Sequence, residues 1–172
     1  MSIDAHVRRG HPITLGLLTF FGIIELAIAA WLTSRYNSHH NYPFVGIRDR
    51  TTFLLFTSAW TVVFSLLFVL LFMHSASTGS PLTSVASHFV VFLLTWLFWT
   101  AGAASLTAGL GGGLNCSAHG QPAYCNQLNA LEAFAWVEWV IVTVFLVIVL
   151  LLGIRSLRRG DGYRGQMVSS TY

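Results

Sequence analysis

Apolar positions gather into four long runs: about Ile13 to Thr33, Phe53 to Met73, Val85 to Gly109 and Leu131 to Ile154. Each is long enough for a transmembrane helix, which needs roughly 20 predominantly apolar residues. No proline interrupts a run after Pro12. The pattern predicts an all-α fold, an antiparallel bundle of four transmembrane helices over residues 13–154, flanked by tails at 1–12 and 155–172.

Composition agrees with the pattern. Of 172 residues, 55% are hydrophobic and only 9% charged, too few for the charged shell of a soluble domain this size. Mean hydropathy is +0.68. Several of the six Trp lie near the ends of apolar runs, as expected for rings at a membrane–water interface. The soluble segments are too short to form a domain. The first run follows Arg8 and Arg9 in the manner of a signal peptide, but it is too long for an ordinary apolar region of that kind. Ala27, Ala29 and Ala30 give only a weak cleavage signal, so it is expected to be retained.

All nine basic residues are Arg. The tails hold Arg8, Arg9, Arg155, Arg158, Arg159 and Arg164; the first loop holds Arg35, Arg48 and Arg50. The positive-inside rule then places both tails in the cytosol. Five of the tail arginines, Arg8, Arg9, Arg155, Arg158 and Arg159, form basic surfaces at the membrane, which act as topological charges or bind anionic lipids at about 1 kcal/mol each. No stretch interleaves Arg with aromatics as a nucleic-acid surface would.

The only cysteines, Cys116 and Cys125, fall in one predicted outer loop, "GLGGGLNCSAHGQPAYCNQ". In an oxidising compartment they can close a disulfide across a Gly- and Pro-containing turn. Free thiols are one alternative. The other is a metal site with His119, for which the loop offers no obvious fourth ligand. Asn115-Cys116-Ser117 also matches a glycosylation sequon. No phosphate-binding loop, zinc-protease motif, serine-hydrolase elbow or EF-hand is present, and no metal or cofactor is expected.

Two ionisable residues lie deep in the runs. Glu25 is about 12 Å from the end of its helix and Glu138 about 10 Å from the same side, with Thr61 at similar depth. Together they form a predicted intramembrane polar layer. No intramembrane Arg or Lys can neutralise the acids, so each is expected protonated and bonded to hydroxyls, Trp N–H groups or carbonyls, ordering the bundle. Proton transfer is the alternative role. Gly22 and Ala29 share the face of Glu25, and Ala101, Ser105 and Gly109 form a stripe on the third helix; these five are expected at helix–helix contacts. Glu132, Trp136, Trp139 and Thr143 form a separate stripe expected at the membrane interface. His88, His39 and His40 are expected to be hydrogen-bonded or solvated residues, not ligands.

Four segments carry a resemblance to a known family: "RDRTTFLLFTSAWTVVFSLL", "FLLTWLFWTAGAASLTAGL", the paired cysteines, and "NALEAFAWVEWVIVTVFLVIVLL". From about residue 10 to 155 the chain resembles the MARVEL-domain proteins, particularly small fungal members. The resemblance implies four helices with cytosolic ends, no catalytic residues, and association with sterol- or sphingolipid-rich membrane, vesicle trafficking, membrane apposition and protein patches. Similar fungal proteins are linked to eisosomes at the plasma membrane and to non-classical export. The chain lacks the large extracellular loops of junctional members, so adhesion is not implied. The expected function is a non-enzymatic membrane organiser whose partners are membrane lipids, other membrane proteins or further copies of itself. It is placed in the plasma membrane, with secretory vesicles as an alternative. A small proton-coupled transporter using Glu25 and Glu138, or an accessory subunit of a larger complex, are the competing functions.

Overall fold

The computed structural model describes residues 3–74, 85–118 and 120–158. It holds four helices: α1 (Ile3–His39), α2 (Val45–His74), α3 (Val85–Leu110) and α4 (Cys125–Arg158). There is no strand among the described residues. All four helices are long and apolar enough to cross a membrane. Water is missing from the hydrocarbon layer, so a backbone there must satisfy its own N–H and C=O groups, and a helix does so within one segment.

The helices form a closed ring in which α1 packs on α2 and α4, and α3 packs on α2 and α4. Successive helices run antiparallel, bringing the α1–α2 and α3–α4 connections to one end, called here the disulfide end. The helices extend beyond the apolar runs. α2 begins at Val45, so Arg48, Asp49 and Arg50 lie in its first turns. α4 begins at Cys125.

Polarity is distributed inside-out relative to a water-soluble bundle. The core contains Glu25, Thr57, Ser58, Thr61, Ser65, Thr95 and Glu138, packed among Leu15, Leu18, Leu54, Phe92, Trp99, Val142 and Phe145. Phe20, Phe56, Val63, Leu70, Val90, Leu97, Val144 and Leu151 face outward. A helix apolar on all sides has no hydrophobic stripe to choose its inner face. Hydroxyls, acids and small residues make that choice, because each polar group placed against lipid would lack a partner.

Glycine admits the closest approaches. A Cβ on Gly102 would lie 2.6 Å from Leu54 Cδ2, so α2 seats a leucine in α3 at this point. At Gly109 the Arg50 side chain occupies the space where a Cβ would lie. α3 then ends in a turn: Gly112 N–H donates to the Thr107 carbonyl at 3.0 Å, with Gly111 at φ 75° and Gly112 at φ 100°. That is a helix end in which left-handed glycine lets an otherwise orphaned carbonyl find a donor.

The Gly102 contact predicts the response to added volume. Ala gains about 1 kcal/mol of helix propensity over Gly, and the displaced atom is the mobile tip of Leu54. Gly102→Ala should therefore leave the unfolding midpoint in detergent nearly unchanged. Gly102→Leu has no such compensation and should cost about 1–3 kcal/mol by overpacking, read as a lower midpoint in the same assay.

Candidate functional site

The interior polar groups form two systems. The first joins α2, α3 and α4 through indole–hydroxyl bonds. Between α2 and α3, Trp60 Nε1 donates to Thr95 Oγ1 at 3.1 Å, and Trp99 Nε1 donates to Thr61 Oγ1 at 3.0 Å. Between α3 and α4, Trp96 Nε1 donates to Thr143 Oγ1 at 2.9 Å, and Trp139 Nε1 donates to Thr100 Oγ1 at 2.8 Å. Trp136 Nε1 adds a bond to Thr107 Oγ1 at 3.0 Å.

Threonine suits this position because a hydroxyl both donates and accepts. Thr61, Thr95, Thr100 and Thr143 each donate their proton to the carbonyl four residues back, on Thr57, Val91, Trp96 and Trp139. A lone pair is left for the neighbouring indole, which can only donate. The α3–α4 pair is reciprocal. The Trp96 indole bonds Thr143, whose hydroxyl returns to the Trp139 backbone, while the Trp139 indole bonds Thr100, whose hydroxyl returns to the Trp96 backbone.

This refines two expectations. Of the six Trp, five donate their N–H to a neighbouring helix. The stripe of Glu132, Trp136, Trp139 and Thr143 is the seam between α3 and α4. Glu132 is 9% exposed and its Oε1 accepts the Thr107 hydroxyl at 2.7 Å. The readable signal was the spacing: Thr100 and Thr107 on α3 oppose Trp139 and Trp136 on an antiparallel α4.

The second system lies between α1 and α4. Glu25 and Glu138 are both fully buried. A Cβ on Gly22 would stand 3.1 Å from Val62 Cγ2, 3.4 Å from Glu138 Oε1 and 3.9 Å from Thr61 Cγ2. Glu138 therefore reaches from α4 onto the bare backbone of α1, one helical turn from Glu25. Thr61 belongs to this layer by position only. Its methyl faces Gly22, and its hydroxyl is committed to Thr57 and Trp99. The expected bonds to hydroxyls, indoles or carbonyls are not made: no oxygen of Glu25 or Glu138 has a hydrogen-bond partner among the described residues. On the far side of α1, Thr19 Oγ1 and Ser65 Oγ lie 2.8 Å apart and tie α1 to α2.

The small residues expected at packing faces divide. Gly22 and Ala29 are buried. Ser105 is half-buried and donates to the Gly102 carbonyl at 3.1 Å, and Gly109 seats Arg50. Ala101 is exposed, because the inward side of α3 is carried by Gly102, Ala103 and Leu106, one position further along.

At the disulfide end, Cys116 and Cys125 are bonded, with Cα atoms 5.7 Å apart. Asn129 on α4 fixes the loop further: its Oδ1 accepts Leu114 N–H at 2.8 Å and its Nδ2 donates to the Leu114 carbonyl at 2.7 Å. Tyr124 packs against Trp31 and Tyr36, at ring distances of 4.9 and 5.9 Å, and its hydroxyl accepts from Asn41 at 3.2 Å. Arg35, Arg48 and Arg50 lie over Trp31, Tyr42 and Phe44. His39 Nδ1 is 3.2 Å from the Arg35 carbonyl, and buried His88 stacks on Phe68 at 4.1 Å. The side chains of Arg8, Arg9, Arg155 and Arg158, and all of His119 and Arg159, lie outside the described part of the structure.

A family model described as MARVEL, the membrane-associating domain, matches residues 6–150. No curated protein and no solved structure matches the chain.

The reciprocal bonds predict a measurable coupling. Trp96→Phe removes one donor and Thr143→Val one acceptor. A double-mutant cycle on unfolding in detergent should give an interaction energy of about 0.6–1.7 kcal/mol, the range for hydrogen bonds between membrane helices. Additive single effects would contradict a direct bond.

Proposed function

Because this chain belongs to the MARVEL family of membrane-associating domains, we propose that it is a non-enzymatic organiser of lateral membrane domains. It acts through lipid and helix–helix contacts on its outer surface. The observation that carries this reading is an aromatic ridge along α2 and α3, formed by exposed Phe56 with half-buried Phe53, Trp60, Phe64 and Phe98. Phe98 lies within 5.6–6.3 Å of Phe53, Phe56 and Trp60, and the Trp60 and Phe64 rings are 4.2 Å apart. Phe56 is 48% exposed.

Trp60 is held by its bond to Thr95, so the ridge presents preset rings. In lipid, association between apolar surfaces rests on packing and dispersion instead of on water exclusion. A preset ridge loses little freedom on meeting a rigid lipid ring or a partner helix. Sterols or sphingolipids, neighbouring membrane proteins and further copies of the chain are the proposed partners. The disulfide supports an orientation with the Cys116–Cys125 loop outside or in a lumen and both tails in the cytosol, since such bonds persist in oxidising compartments. The plasma membrane is the proposed location, with a role similar to that of the small fungal members in membrane patches and export.

Imaging the fluorescently tagged full-length protein tests this. A patched distribution should disperse on sterol or sphingolipid depletion, and Phe56→Ala with Phe98→Ala should disperse it without depletion. Native extraction should recover an assembly. A monomer spread evenly before and after depletion would overturn the proposal.

A further inference from the structure

Glu25 and Glu138 are fully buried, and none of their four carboxyl oxygens receives a hydrogen bond from a described residue. An ionised carboxylate can only accept hydrogen bonds, whereas a protonated one also donates. Two ionised groups here would need several donors, and the described residues around them provide none. From α2 the neighbours at Gly22 are Val62 and the Thr61 methyl. From α3, the Trp99 indole is committed to Thr61. On α4, Ala135, Val142 and Phe145 share the buried face of Glu138.

Among the described residues, no cation faces the pair. Arg50 is seated at Gly109, and Arg35 and Arg48 lie over Trp31 and Tyr42 at the disulfide end. Arg48 is bonded to Asp49, His88 stacks on Phe68, and Glu132 is bonded to Thr107 on the α3 seam. Glu138 Oε1 lies against Gly22, one helical turn from Glu25 on the same helix.

We propose that Glu25 and Glu138 form a proton-binding site between α1 and α4, in which one proton is shared by the two carboxyls and its O–H···O bond is the polar link between these helices. One proton gives each acid a partner and halves the charge placed in hydrocarbon. A metal ion fits less well. Calcium takes six to eight oxygen ligands and structural zinc four, and no third His, Cys, Asp or Glu joins the two acids among the described residues. Full burial of both acids favours a held proton over a conducted one. Raising the pH far enough to strip it leaves two negative charges side by side and drives α1 away from α4.

A hydrophobic carbodiimide reads this directly. The carboxyl oxygen bonds to the central carbon of dicyclohexylcarbodiimide and the proton passes to one of its nitrogens. Acyl migration to nitrogen then leaves a stable adduct containing the whole reagent. The experiment treats the full chain in lipid vesicles at neutral pH with this reagent or with a charged, water-soluble carbodiimide. Intact mass and peptide mapping give the readout. The expected result is a single adduct per molecule, on Glu25 or Glu138, from the hydrophobic reagent alone, with labelling falling as pH is raised. The bulky adduct then occupies the space between α1 and α4, so the second acid should stay unlabelled. Absence of an adduct at both residues, labelling of both in one molecule, or equal labelling by the polar reagent would each overturn the proposal.

Discussion

An indole N–H in a bilayer must find an acceptor inside the protein, because no water can supply one. The arrangement of this bundle follows from how five tryptophans meet that condition. Each donates to a threonine on the adjacent helix. Four of those threonines keep their own proton on the preceding turn. At an average of about 0.6 kcal/mol each, such bonds contribute on the order of 3 kcal/mol together. Against a folding stability of about 5–15 kcal/mol, that is support. Their larger effect is selection. A rotation of α3 that misaligned one indole would strand its N–H, while the opposing hydroxyl kept only the bond it donates, so the bonds fix which faces meet.

α1 is attached differently. It shares a hydroxyl contact with α2 through Thr19 and Ser65 and meets α4 where Glu138 rests on Gly22. The bundle thus has a hydrogen-bonded seam along α2–α3–α4 and, at α1–α4, a contact between a buried acid and a glycine. With most polar groups turned inward, the outer face of α2 and α3 is largely apolar. An aromatic ridge there can serve lipid or partner contacts without disturbing the interior.

Much of this was legible in the sequence. The four apolar runs marked the helices, and the two cysteines in one loop marked the disulfide. Helical spacing placed Gly22 and Ala29 on the face of Glu25, and both are buried. What stayed hidden was which helix opposed which stripe. Trp136 and Trp139 near the start of an apolar run look like interfacial anchors until α3 is set beside them with Thr100 and Thr107 in register. Ala101 looks like a packing residue until the rotation of α3 turns Gly102 and Ala103 inward. Thr61 lies at the depth of the acids, but a periodicity cannot show that its hydroxyl is already bonded. Periodicity fixes a face, while the partner of that face is a property of the assembled ring.

The most direct measurement is the indole N–H resonance of each tryptophan in the 15N-labelled protein in lipid nanodiscs, taken before and after single Thr→Val replacements. Thr61→Val should shift Trp99, Thr95→Val Trp60, Thr100→Val Trp139, Thr107→Val Trp136 and Thr143→Val Trp96, each chiefly its own partner. Trp31, which lies against Tyr124 and Arg35, should stay in place throughout. Resonances that ignore these replacements, or that move in a different pairing, would contradict an interior ordered by indole–hydroxyl bonds.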